Sequence, residues 1–206
     1  MAVQFTNRIG KQYYLREGKT KTGKSRYFFS KHEQGKGEVV DHVPDGYEIY
    51  EHPENAQVFL RKIRPQRITD LENHLVEKAV KALRRTKRYL IDRKNEYITI
   101  YESSADVENI KKIFSDSMSP HSLRPGITKD DAIEMIVGGH YTAMLRFHLA
   151  DSEQRTFTVE RFCFRGTIDD WIYLAGPENL KTLIGMHVEL LGTDAFFDTE
   201  PFNIVF

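Results

Sequence analysis

The chain has a single cysteine, Cys163, among 206 residues, which excludes an internal disulfide and any cysteine-rich zinc site. No uncharged apolar run approaches the roughly 18 residues of a membrane-spanning helix. The opening Met1-Ala2-Val3-Gln4-Phe5-Thr6-Asn7-Arg8 lacks the apolar core of a signal peptide. The expectation is a soluble, cytoplasmic protein with no membrane partner. Metal-ligand spacing is missing too. His140 and His148 would stand about 27 Å apart on one strand at ~3.4 Å per residue, too far to share an ion, and there is no HExxH. Neither a metal nor a cofactor is expected. There is no internal repeat, low-complexity tract or long linker. Net charge is absent as well: 30 basic and 30 acidic residues cancel, which argues against a general nucleic-acid coat.

The charges are nevertheless sorted along the chain. Residues 1–32 sum to +7, 33–60 to −6, 61–94 to +8 and 95–100 to −1, leaving −8 for 101–206. Two basic blocks thus flank an acidic one, and each is a candidate footprint for a polyanion. With 40% hydrophobic residues the chain can bury a packed core.

The second basic block opens on a helix signal. Thr69-Asp70-Leu71-Glu72 is a capping box, in which Thr69 and Glu72 each satisfy a free backbone N–H. Leu71, Leu75, Val76, Ala79, Val80, Ala82 and Leu83 then recur with helical period on one side, with Lys78, Lys81, Arg84, Arg85 and Arg88 on the other. Tyr89–Asp92 and Tyr97–Tyr101 read as strands around Arg93-Lys94-Asn95-Glu96. Before this stretch, residues 11–62 read as a β module. Gln12–Arg16 and Arg26–Ser30 join through a loop in which Gly23 supplies a positive φ, and Tyr47–Glu51 and Gln57–Arg61 lie between turn signals at Pro44-Asp45-Gly46 and Pro53-Glu54-Asn55.

Beyond Tyr101, Ser103 or Ser104 can cap a short helix with Val107, Ile110, Ile113 and Phe114 on one stripe. Ser117–Gly126 reads as a loop, and a helix runs from Thr128 to Val137 and ends at Gly138-Gly139. Strands are expected at His140–Leu149, Thr156–Arg165, Asp170–Leu174 and Met186–Leu191, with a helix from Pro177 to about Ile184 between the last two. The fold class is α+β: a small N-terminal β module (1–64) followed by a mainly antiparallel sheet with three or four helices (65–206), the two also readable as one continuous domain. The expected core comprises Leu71, Leu75, Val80, Leu83, Ile98, Ile110, Phe147, Phe157, Phe162, Trp171, Ile172 and Leu190.

Three stretches carry candidate chemistry. Gly18-Lys19-Thr20-Lys21-Thr22-Gly23-Lys24-Ser25 fits the phosphate-binding P-loop pattern, which needs a buried strand before it and a helix directly after it. The aromatic, β-prone Arg26-Tyr27-Phe28-Phe29 that follows favours a hairpin loop instead. Lysines interleaved with tyrosines over residues 11–27 can neutralise phosphates and stack bases, or simply solvate the outer face of a small sheet. The cationic end of the helix at 78–88 can lie along a phosphate backbone, although cations there also complement the helix dipole. Cys163, between Phe162 and Phe164, reads as a small buried residue, and Asp169-Asp170 before Trp171 as the polar start of a strand.

The reading is a binding protein, leaning away from an enzyme, that contacts nucleic acid through its basic half. Lys19, Lys21, Lys24 and Arg26 form one phosphate patch with Tyr27 as a stacking residue, and Lys81, Arg84, Arg85 and Arg88 form the other. One alternative is a P-loop hydrolase with Lys24 on the phosphates, Ser25 on magnesium and Asp92 as a metal partner. Another is a protein-interaction module, or a self-associating one, using its oppositely charged halves.

Overall fold

A computed structural model describes residues 2–83, 88–116, 126–165 and 168–198. The class is α+β: among the described residues, eleven strands lie in antiparallel sheets and five α-helices accompany them. The chain divides into two compact units, and the division is not sequential. The first joins Met1–Arg64 to Ala105–His140, and the second joins Pro65–Ser104 to Tyr141–Phe206. This changes the charge picture. The first unit sums to +2 (+4 from residues 1–64, −2 from 105–140) and the second to −2, so the ±8 of the sequence halves is not carried by the folded units.

In the first unit, β1 (Gln4–Thr6), β2 (Gln12–Lys19), β3 (Ser25–Ser30) and β4 (Glu38–Val39) form one sheet, in which β1, β3 and β4 all pair with β2. A hairpin of β5 (Tyr47–Glu51) and β6 (Val58–Lys62) stands beside it. Helices α2 (Val107–Asp116) and α3 (Lys129–Val137) bury Phe114, Ile133 and Val137 against each other. Two arginines organise the irregular backbone. The Arg8 guanidinium donates to the Gly138 carbonyl (2.6 Å), the His52 carbonyl (3.0 Å), the Glu51 carboxylate (2.7 Å) and the Pro53 carbonyl, tying α3 to the β5–β6 hairpin. Arg16, only 4% exposed, donates to the carbonyls of Gly35 (3.1 Å), Gly37 (2.8 Å) and Glu33, gathering the loop between β3 and β4. The carbonyls satisfy both terminal nitrogens of the buried Arg16 guanidinium, while its Nε has no partner among the described residues.

In the second unit, β7 (Tyr89–Lys94), β8 (Tyr97–Ser103), β9 (Tyr141–Asp151), β10 (Thr156–Arg165) and β11 (Ile168–Asn179) form an antiparallel sheet ordered β11-β10-β9-β8-β7. Period-2 alternation sends Ile98, Ile100, Leu145, Phe147, Phe157 and Val159 to one face. There they pack with Val76 and Val80 of α1 (Asp70–Ala82) and Leu180 and Leu183 of α4 (Leu180–His187). A 3-10 turn (Val188–Leu190) and the short α5 (Ala195–Asp198) add Val188 and Phe196 to this core. The capping box of α1 forms as its sequence predicts, and Glu72 does more than cap. Arg155, on the β9–β10 turn at φ 53°, donates to the Glu72 carboxylate (2.9 Å from Nε) and to the Arg67 carbonyl (3.2 Å). Burial alone would raise the Glu72 pKa. The hydrogen bonds from Arg155 and Thr69 outweigh it and hold the carboxyl below its ordinary range.

Several sequence expectations are corrected. Leu71 is 70% exposed, because the core-facing stripe of α1 centres on Val76 and Val80. Phe162 and Trp171 pair across β10 and β11 on the sheet face opposite the core and are only half-buried, as is Cys163. Ser103 ends β8 and does not cap α2; Asp106 accepts from the Asn109 N–H instead (3.0 Å). Pro177 does not open a helix. Pairing of Phe157 with Glu178 and Thr156 with Asn179 carries β11 past it, and Asn179 caps α4. Met186–Leu191 is the end of α4 and its 3-10 turn, not a strand. The expected loop at Ser117–Gly126 lies, except for Gly126, outside the described residues.

His187 sits in the core at 4% exposure, and neither ring nitrogen has a hydrogen-bond partner among the described residues. Burial therefore lowers its pKa below the ordinary 6.5. The unfolded chain binds this proton at higher pH than the folded protein does. Its contribution to stability is thus complete above about pH 6.5 and falls as the pH drops from there towards the lowered folded value. Thermal melts between pH 7.5 and 5 should show Tm declining with acid, and His187→Leu should flatten that decline. A variant with the same pH dependence as the parent would show that His187 is not the group responsible.

Candidate nucleic-acid interface

The basic hairpin is built by cross-strand pairing from Tyr14–Ser30 out to Lys19–Ser25. Its turn closes through the Thr20 N–H to the Lys24 carbonyl (2.8 Å) and the Gly23 N–H to the Thr20 carbonyl (2.9 Å). Gly23 takes φ 79°, the left-handed conformation that glycine adopts without penalty. The Thr20 hydroxyl accepts from the Lys24 N–H (3.1 Å) and lies 3.0 Å from the Thr22 hydroxyl. The segment that matches the P-loop pattern is therefore a closed hairpin. The residues after Ser25 form β3, so there is no helix N-terminus to receive a phosphate.

Lys19, Lys21, Lys24 and Arg26 are all exposed and have no carboxylate partner among the described residues. Other arginines differ: Arg8, Arg61, Arg93, Arg146 and Arg155 are each held by a carboxylate. The alternation of β2 and β3 places Lys19 on the sheet face of Tyr27, with Arg26 on the other face opposite Gly18, and Lys21 and Lys24 in the turn. The four cations thus surround a tip and do not form a flat stripe. Tyr27 is half-buried, its ring edge-on to Tyr47 at 6.1 Å, so it helps seat the hairpin on β5–β6.

The helical patch is shorter than its sequence suggests. Leu83, with extended backbone (φ −66°, ψ 107°), ends α1. Lys78 and Lys81 lie exposed on the helix, whereas exposed Arg88 stands beyond it, just before β7. Arg84 and Arg85 lie outside the described residues.

A third grouping of basic and aromatic side chains lies on the second unit's sheet. On the sheet face away from the second unit's core, the Arg146 guanidinium lies over the rings of Trp171 (4.2 Å) and Tyr97 (4.8 Å) and is paired to Glu160. His148 stacks on Tyr97, with ring centroids 4.6 Å apart. The signal was present in the sequence: Arg146 and His148 alternate with Leu145, Phe147 and Leu149, so they must share the opposite face. Their partners come from other strands and could not be read locally. Since Arg146 is already neutralised by Glu160, this cluster is a weaker anion site than the hairpin tip. Among the described residues, no group of histidine, cysteine or acidic side chains is placed to hold a metal ion.

No family model, curated protein or solved structure matches this chain.

The hairpin geometry makes a direct prediction about the P-loop pattern. Any heat measured on titrating Mg-ATP into the protein should be unchanged in Lys24→Ala and Ser25→Ala. Loss of micromolar binding in either variant would contradict the hairpin assignment of this segment's chemistry.

Proposed function

We propose that this protein binds nucleic acid through the tip of the β2–β3 hairpin, by contacts to the phosphate backbone. The observation that carries the reading is the set of four exposed, unpaired cations at Lys19, Lys21, Lys24 and Arg26 around one closed turn. The paired strands hold these charges in fixed register, so little ordering is needed when phosphates bind. A two-stranded ribbon is also narrow enough to enter a duplex major groove. The tip offers ammonium and guanidinium donors, and its Thr20 hydroxyl is already engaged in the turn. The binding is therefore backbone-directed and independent of sequence. Lys81 and Arg88 are exposed cations of the second unit and are secondary contacts in this reading, with Arg84 and Arg85 beside them in sequence. Association through oppositely charged halves has less support, since the folded units carry only +2 and −2.

Fluorescence anisotropy with mixed-sequence single-stranded and duplex oligonucleotides, over a salt series, tests the reading. Affinity should fall steeply with salt. Replacing all four cations (K19Q/K21Q/K24Q/R26Q) should weaken binding at least about tenfold and lower the salt slope by roughly 3, as four lost phosphate contacts require. All four side chains are exposed, so the variant should melt like the parent. Equal affinity and slope in parent and variant would rule out the hairpin.

A further inference from the structure

At the base of the same hairpin, away from its tip, the first unit has a cleft of about 370 Å³, within the size range of small-molecule sites. Its composition follows from strand alternation. Lys11 and Tyr13 are two apart at the start of β2, and Phe29 and Lys31 two apart at the end of β3. Pairing of Leu15 with Phe29 puts Tyr13 and Phe29 on one face of the sheet. Two aromatic rings, edge to face at 6.4 Å, are thereby flanked by two lysines. Asn55 and Gln57, from the turn between β5 and β6, line the other wall.

The charge inside is one-sided. Lys11 and Lys31 are exposed and have no carboxylate partner among the described residues. The nearby acid, Glu51, is engaged by Arg8 at 2.7 Å. Tyr13 is buried, and burial together with the Glu51 charge raises its phenol pKa, so the hydroxyl stays protonated. The Asn55 side-chain oxygen accepts the Gln57 N–H (3.0 Å), which turns the Asn55 amide nitrogen into the free donor of that wall. The cleft therefore combines two cations, neutral donors and an apolar aromatic floor.

We propose that this cleft binds a nucleoside-monophosphate-like ligand, a sugar phosphomonoester bearing a planar base, with Lys11 and Lys31 on the phosphate and Tyr13 and Phe29 beneath the base. The same chemistry is offered by a free nucleotide and by the phosphorylated end of a strand. This site is separate from the hairpin tip. Lys11 and Lys19 are eight residues apart along an extended strand, about 27 Å at ~3.4 Å per residue.

Isothermal titration on the full chain with AMP, and with a trinucleotide bearing either a 5′-phosphate or a 5′-hydroxyl, tests the proposal. The expected result is binding of AMP, or a preference of at least about fivefold for the phosphorylated trinucleotide. AMP binding identifies the free nucleotide as the source, and the preference without AMP binding identifies the strand end. Either signal should fall at least about tenfold in K11Q/K31Q and persist in K19Q/K21Q/K24Q/R26Q. The latter variant also separates this site from the hairpin reading, whose loss would leave AMP binding intact. Absence of both signals at millimolar ligand, or binding that survives in K11Q/K31Q with an unchanged melting temperature, would overturn it.

Discussion

The N-terminal sheet depends on one strand. β2 is the partner of β1, β3 and β4, and no other pair of these strands is joined. Its side chains divide strictly by parity. Leu15, fully buried, and Tyr13 anchor one face, while Arg16 on the other draws three loop carbonyls inward. Shifting β2 by one residue would carry Tyr13 and Leu15 to the face that Arg16 now occupies and turn Arg16 away from its carbonyls, so the register is strongly specified. The same register sets the chemistry at both ends of the hairpin. It places unpaired cations around the tip and brings Lys11 beside Tyr13 at the base.

The two units stabilise themselves by different means. The second has an apolar core in which Phe147, Phe157 and Phe196 are buried, and truncating such a residue typically costs about 3–5 kcal/mol. The first has a smaller helical cluster around Phe114, Ile133 and Val137, buries Tyr13, Leu15, Ala56 and Val58 among its strands and loops, and adds guanidinium-to-carbonyl bonds at Arg8 and Arg16. A lysine at either position could not span three or four acceptors with planar geometry. Loops held by directional bonds in this way provide a firm base for an exposed hairpin.

Features encoded by neighbouring residues were legible in the sequence. The Thr69–Glu72 capping box, the helix opening at Thr128, the turn at Gly23 and the β7–β8 hairpin all form where local chemistry places them. Features decided by distant partners were not. The fate of Pro177 depended on pairing with β10, some twenty residues earlier in the chain, which overrode its preference for a helix start. The exposure of Leu71 depended on which side of α1 met the sheet. The return of residues 105–140 to the N-terminal strands leaves no local trace at all. For the candidate interface, the hairpin cations were readable because a turn with alternating lysines is a local pattern. The Arg146 cluster required knowing that Tyr97, Glu160 and Trp171 lie on adjoining strands, and Tyr27 could not be assigned to packing before Tyr47 was placed against it.

On the proposed function, a polyanion binds at the unpaired charges of the β2–β3 tip. Mapping backbone amide shifts on titrating a mixed-sequence oligonucleotide into the isotopically labelled protein tests this most directly. The largest, salt-sensitive shifts are expected at residues 19–27, centred on the turn that Gly23 closes. Shifts concentrated elsewhere, with residues 19–27 unmoved at saturating oligonucleotide, would contradict it.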